Sequence, residues 1–152
     1  MPVSSQSPVL ILIAEDDVGD QILIQEALQA SRISKEIRIV GDGEELLEYL
    51  HHSGRYPSPG QAPRPDLILL DLNMPRLGGK EALARLKSHS GLKTIPVVAF
   101  TTSDRHEDVS DCYSAGVNSY VQKPTDFDQF QSTLHTLEHY WLEVSLLPPR
   151  RE

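Results

Sequence analysis

Cysteine is nearly missing from this chain: Cys112 is the only one in 152 residues. A lone thiol closes no internal disulfide, which excludes a disulfide-stapled secreted scaffold, and Cys112 reads as a small buried hydrophobe. Long hydrophobic runs are missing too. The longest near the N-terminus is Val9 to Ala14, followed at once by three acids and preceded by no basic segment. It is too short for a membrane span or a signal-peptide core, so the expectation is a cytoplasmic protein with no membrane partner. Basic runs are absent as well. With 14 Lys and Arg against 22 Asp and Glu, the net charge is -8. Such a surface repels nucleic acid and suits a cation. Neither a solenoid-period repeat nor a sustained heptad pattern is present.

What remains is an ordinary globular composition, 39% hydrophobic and 24% charged, of a length that suits one compact domain. Short apolar or β-branched runs at 9–14, 37–40, 66–70, 95–100 and 119–122 alternate with helical spacings. Ile22, Leu23, Ala27 and Leu28 mark the first helix, Leu46, Leu47 and Leu50 the second, and Ala82, Leu83 and Leu86 the third. Val109, Cys112 and Tyr113 mark the fourth; Phe127, Phe130, Leu134, Leu137 and Trp141 the last. Several strands are continuously apolar, as strands covered on both faces are. The pattern predicts an α/β fold with a doubly wound, five-stranded parallel sheet in the flavodoxin-like order 2-1-3-4-5. Residues 1–8 read as a loose tail, 9–144 as the folded domain, and 145–152 as a C-terminal tail with no output domain. Residues 54–65 hold four prolines and two glycines, so they are neither helix nor central strand and read as a surface insertion.

In this fold a site lies at the carboxyl ends of the strands, and polar residues stand there. Glu15, Asp16 and Asp17 follow the first run; Asp71 and Asn73 the third. Thr101 and Thr102 close the fourth run, and Lys123 and Pro124 the fifth. Carboxylates this crowded raise one another's pKa unless a cation neutralises them, and a hard divalent ion such as Mg²⁺ takes carboxylate oxygens, waters and a phosphate. A carboxylate beside that ion is a nucleophile toward phosphorus, and Lys123 and Thr101 can meet phosphoryl oxygens. Asp17 and Asp20, each ahead of a helical stretch, suit helix capping. The bond before Pro124 is a candidate for the cis form. His135 and His139 have a zinc-compatible spacing but no further ligand nearby, and read as a solvated helix face.

The order E-D-D, D-x-N-M-P-x-x-G-G, T-T-S and Y-V-x-K-P resembles the receivers of two-component response regulators, over about residues 9–141. The resemblance implies that Asp71 accepts a phosphoryl group from a sensor histidine kinase, with Mg²⁺ bound. Asp16 would ligate the metal directly, Glu15 through water, and Asn73 by its backbone carbonyl. It implies Thr101 as the switch hydroxyl, Tyr120 as the switch aromatic and Lys123 as the phosphate-binding lysine. The Pro-rich insertion, the A-F-T-T-S segment and the Y-W-L-E-V end of the last helix are similar to stand-alone regulators that partner cyanobacterial phytochrome kinases.

The resemblance implies a signalling module with at most slow self-dephosphorylation, not an enzyme. A phosphatase that forms an aspartyl phosphate needs a carboxylic acid two places after its nucleophile, and Asn73 is an amide there. A flavin carrier of the same fold needs a phosphate loop where this chain has three acids. Tyr140, Leu142, Val144, Leu146 and Leu147 add apolar groups beyond the core stripe of the last helix, so a homodimer through this region is expected.

Overall fold

The computed structural model describes residues 8–150; most of the expected N-terminal tail and the last two residues lie outside them. Five strands, β1 (Val9–Ala14), β2 (Lys35–Val40), β3 (Leu67–Leu70), β4 (Val97–Thr101) and β5 (Ser119–Gln122), alternate with five helices. The helices are α1 (Val18–Gln29), α2 (Gly43–His51), α3 (Gly79–Lys87), α4 (His106–Ala115) and α5 (Phe127–Glu138). A π-helical segment, His139–Val144, continues α5. The sheet is parallel in the order β2-β1-β3-β4-β5, as the sequence pattern predicts.

Side-chain alternation divides the core into two layers. Leu10, Leu12, Ala14, Ile68, Leu70, Val97 and Ala99 pack with Leu46, Leu83 and Cys112 from α2, α3 and α4. Their neighbours Ile11, Ile13, Leu67, Leu69, Val98 and Phe100 face Ile24 and Leu28 of α1 and Phe130 and Leu134 of α5. Cys112 is buried, and burial pushes its thiol up to about 11, as an inert core thiol requires.

Several boundaries and faces differ from the sequence expectation. β2 starts two residues early because Lys35 and Glu36 pair with Val9 and Leu10; a ladder bonds backbone and tolerates polar side chains at a sheet edge. β4 starts at Val97 because Pro96 has no N–H to give and contributes only its carbonyl, which accepts from Ile68 N. Ile22, Tyr113 and Phe127 belong to the apolar helical patterns, yet they are 49%, 51% and 52% exposed. Ile22 shares the outer face of α1 with Val18 and Glu26, while Ile24 takes the inward place. No peptide bond among the described residues is cis, so the bond before Pro124 is trans.

The Pro-rich segment is a surface loop pinned to α2. The Tyr49 hydroxyl donates to the Pro63 carbonyl at 2.8 Å, His52 Nε2 meets the Ala62 carbonyl at 2.8 Å, and the Tyr56 hydroxyl donates to Glu45 at 2.5 Å. The C-terminal segment turns back beneath the amino ends of the strands, where Arg150 grips Asp66 at 2.7 and 3.1 Å and donates to the Pro8 carbonyl at 2.6 Å. Val144 is 59% exposed and Leu146 97% exposed, so part of the apolar surplus faces outward. His139 is exposed and bonds Glu143 at 2.8 Å, whereas His135, though exposed, turns its Nε2 to the Ala27 carbonyl of α1 at 2.9 Å, so the solvated-face reading holds only in part.

One ion pair joins the sheet edge to α5. Lys35 Nζ lies 2.7 Å from Glu138 Oε2, with both side chains almost wholly buried, and also donates to the Leu28 carbonyl at 2.6 Å. Removing one partner of such a pair strands the other charge. Lys35→Met should therefore destabilise the fold by about 3–5 kcal/mol, whereas Lys35→Met with Glu138→Met should recover most of that loss. Urea unfolding followed by circular dichroism measures both.

Candidate functional site

Backbone pairing sets two acids side by side. The Asp71 N–H donates to the Ala14 carbonyl at 3.0 Å, continuing the β1–β3 ladder, and the Glu15 N–H donates to Val40 across the β1–β2 edge at 3.0 Å. Glu15 is 1% exposed and Asp71 7% exposed, while Asp16 is open to solvent. One carboxylate oxygen from each of Glu15, Asp16 and Asp71 lies within 4.8 Å of the others. The three acids read from the sequence as a metal site thus converge.

Lys123 joins them from β5. Its N–H donates to the Thr101 carbonyl at 2.7 Å, and its side chain crosses the strand ends to Glu15 Oε1 at 2.5 Å and Asp20 Oδ2 at 2.7 Å. Asp71 Oδ2 lies 3.7 Å from the same nitrogen. Burial works against the Lys123 cation, but its hydrogen bonds to Asp20 and Glu15 and the charge of Asp71 outweigh it and raise its pKa. Burial, aided by the like charge of Asp71, raises the pKa of Glu15 against the opposing bond from Lys123. The site thus holds more negative charge than one lysine neutralises.

Asp17 is the N-cap of α1, accepting from the Asp20 N–H at 3.2 Å. Asp20 does something else: it is the second carboxylate partner of Lys123, a role the sequence reading missed. Nothing local in the sequence signals it, because Lys123 lies 103 residues further along the chain.

Two close backbone approaches hold the loop after Asp71. A Cβ at Gly79 would collide with the Asp71 carbonyl oxygen, and one at Gly43 with the Leu77 carbonyl oxygen; only glycine fits either place. The Gly79 N–H donates to Leu72 at 2.9 Å and the Gly43 N–H to Leu77 at 3.0 Å. Arg76, with φ of 64°, bonds Asp42 at 2.6 Å. Burial opposes the Asp42 carboxylate, yet the Glu45 N–H and the Arg76 guanidinium hold its pKa below the usual range. Asn73 sits exposed within this tethered loop, beside the acids.

Thr101 is fully buried at the end of β4, and its hydroxyl oxygen has no hydrogen-bond partner among the described residues. Leaving a buried hydroxyl unpaired costs about 1–3 kcal/mol. Tyr120, half-buried on β5, donates its hydroxyl to the Ser103 carbonyl at 2.8 Å.

The donor set fits a divalent cation: hard oxygens, an excess of negative charge and one solvent-facing side at Asp16. Glu15, Asp16, Asp71 and the Asn73 carbonyl are the groups that would hold it. No helix among the described residues is long and apolar enough to cross a membrane.

Known proteins resemble this chain in sequence and fold. The chain is 40% identical to response regulator Rcp1 of Synechocystis sp. over 148 residues, covering 97% of this chain and 99% of that one. It superposes with TM-score 0.89 and 40% identity on the phosphorylated cyanobacterial phytochrome response regulator RcpA, covering 94% of this chain and 100% of the other. The Mn²⁺-bound form of Rcp1 follows with TM-score 0.88 and 40% identity, over 93% and 100% of the two chains. The model of the response regulator receiver domain matches residues 11–135. With five parallel strands in the receiver order and three acids gathered at their carboxyl ends, the chain belongs to the response regulator receiver domain family.

Proposed function

We propose that this receiver accepts a phosphoryl group from a sensor histidine kinase onto Asp71, in a reaction that needs Mg²⁺. The observation that carries this reading is the convergence of Glu15, Asp16 and Asp71 within 4.8 Å, with Lys123 reaching in from β5. Similarity to Rcp1 and RcpA points to a phytochrome as the kinase and to the cytoplasm as the setting.

A carboxylate oxygen of Asp71 attacks the phosphorus of a phosphohistidine. A P–O bond forms as the P–N bond breaks, and the freed imidazole nitrogen keeps the electron pair and takes a proton from water. A bound Mg²⁺ would neutralise charge that phosphoryl oxygens bring among the acids. Lys123 exchanges part of its bonding from Glu15 and Asp20 to a phosphoryl oxygen, a small movement because Asp71 lies 3.7 Å away. Thr101 supplies a donor to another oxygen, and its orphaned hydroxyl gains a partner in doing so. Drawing Thr101 toward Asp71 alters the space next to Tyr120, which biases a two-state surface. Output then passes through protein contacts. Two exposed apolar side chains on α1, Val18 and Ile22, and a third at the start of α5, Phe127, suit a docking kinase.

The exposed groups at Tyr140, Val144 and Leu146 support a homodimer through α5 and the segment after it. Arg150 ties the end of that segment to its own domain, so a second copy meets a fixed apolar strip.

Asp71→Asn should keep the fold and lose labelling by a phosphorylated kinase or acetyl phosphate, since an amide has no anionic oxygen for attack; a variant labelled like the parent removes Asp71 as acceptor. Chelation with EDTA should stop labelling, and Asp16→Ala should weaken Mg²⁺ binding by about tenfold or more. Isothermal titration measures that change, and a labelling rate indifferent to EDTA contradicts the cation requirement. Leu146→Asp with Leu147→Asp should shift sedimentation at micromolar concentration from dimer to monomer.

A further inference from the structure

The loop that follows Thr101 is held by bonds that do not involve Thr101. The Ser103 carbonyl accepts the Tyr120 hydroxyl at 2.8 Å, and the Ser103 hydroxyl donates to Asp108 Oδ2 at 2.5 Å. The other oxygen of Asp108 receives the Lys80 ammonium at 2.9 Å. Lys80 is the second residue of α3 and follows Gly79, which presses against the Asp71 carbonyl too closely for any Cβ. A continuous set of contacts therefore runs from the backbone of Asp71, through the first turns of α3 and α4, to the hydroxyl of Tyr120.

An ordinary surface ion pair would leave such a chain without consequence, and the bond from Lys80 to exposed Asp111, also 2.9 Å, is of that kind. Asp108 differs. It is 9% exposed and faces only two partners in this network, the Ser103 hydroxyl and the Lys80 ammonium. Without the ammonium its carboxylate keeps only the weaker charge of Arg105 at a largely buried place, and the bond that fixes Ser103 weakens with it. Ser103 also caps its own turn, accepting from the Arg105 N–H at 3.3 Å, so movement of its side chain moves its carbonyl.

We propose that Lys80 and Asp108 are positioning residues for Tyr120: the ammonium holds the carboxylate, the carboxylate holds Ser103, and Ser103 presents its carbonyl to the tyrosine hydroxyl. This deepens the reading of Tyr120 as a switch residue and rests on it. It gives the switch a second connection to Asp71, through α3, that bypasses Thr101. Shifts at the phosphoacceptor reach Tyr120 from both sides of the site, and Lys80 sets how strongly the aromatic is held before any phosphoryl group arrives.

The test uses the full chain labelled with 3-fluorotyrosine, without phosphate donor or added cation, and reads the Tyr120 fluorine resonance, assigned with Tyr120→Phe. Lys80→Met keeps the aliphatic stem and removes the charge. It should move the Tyr120 resonance toward that of exposed Tyr140, reflecting a loss of about two- to fivefold in the hydrogen-bonded population. Lys80→Arg should restore the parent position. In a Ser103→Ala background, Lys80→Met should add nothing, because the chain is already cut. Tyr49 and Tyr56, buried or pinned at α2, should hold their resonances and report the intact fold. A Tyr120 resonance unmoved by Lys80→Met, or a shift equally large with and without the Ser103 hydroxyl, overturns the proposal. Because no phosphoryl group is present, failure of labelling at Asp71 would leave this result standing, and the reverse.

Discussion

The repulsion among Glu15, Asp16 and Asp71, only partly offset by the Lys123 ammonium, is the interaction around which the carboxyl edge of the sheet is arranged. Two of these acids and the lysine are buried, where a charge without a partner is costly. The protein meets that cost with two bonds from Lys123 and with a raised pKa at Glu15. The residual negative field is what a divalent cation and an incoming phosphoryl group can use together, one supplying charge and the other ligands.

Such an arrangement is stable only on a stiff base. The central strands β1, β3 and β4 are buried on both faces, and each fully buried large aliphatic side chain contributes about 1.5–3 kcal/mol to holding them in register. Gly79 and Gly43 let the flanking backbones approach at contact distance, and Arg76 with Asp42 ties the two loops together. At the β4–α4 loop the Thr101 hydroxyl has no hydrogen-bond partner among the described residues, while Ser103 is bonded to Asp108 and to the Tyr120 hydroxyl.

Much of this was legible in the sequence because two periodicities carry it. Continuous apolar runs placed the central strands, and acids just beyond them placed Glu15, Asp16 and Asp71 together. What periodicity could not resolve was which of two adjacent apolar residues turns inward. Ile22 and Ile24 differ only by helical phase, and Phe127 opens α5 at an exposed rim although it continues the stripe. Nor could it assign polar partners, since a carboxylate such as Asp20 serves equally well as a cap or as a lysine partner until the fold brings Lys123 across 103 residues of chain to it. The buried pair of Lys35 and Glu138 was hidden for the same reason: both residues look like ordinary surface charges when only neighbours in the chain are considered.

Borohydride trapping identifies the acceptor residue chemically. Reduction of the protein after incubation with phosphorylated kinase and Mg²⁺ converts an aspartyl phosphate to homoserine, which tandem mass spectrometry locates in the chain. Homoserine at position 71 alone is expected. Homoserine at position 16 or 17, or phosphate retained on a histidine, serine or threonine with position 71 unmodified, would contradict Asp71 as acceptor.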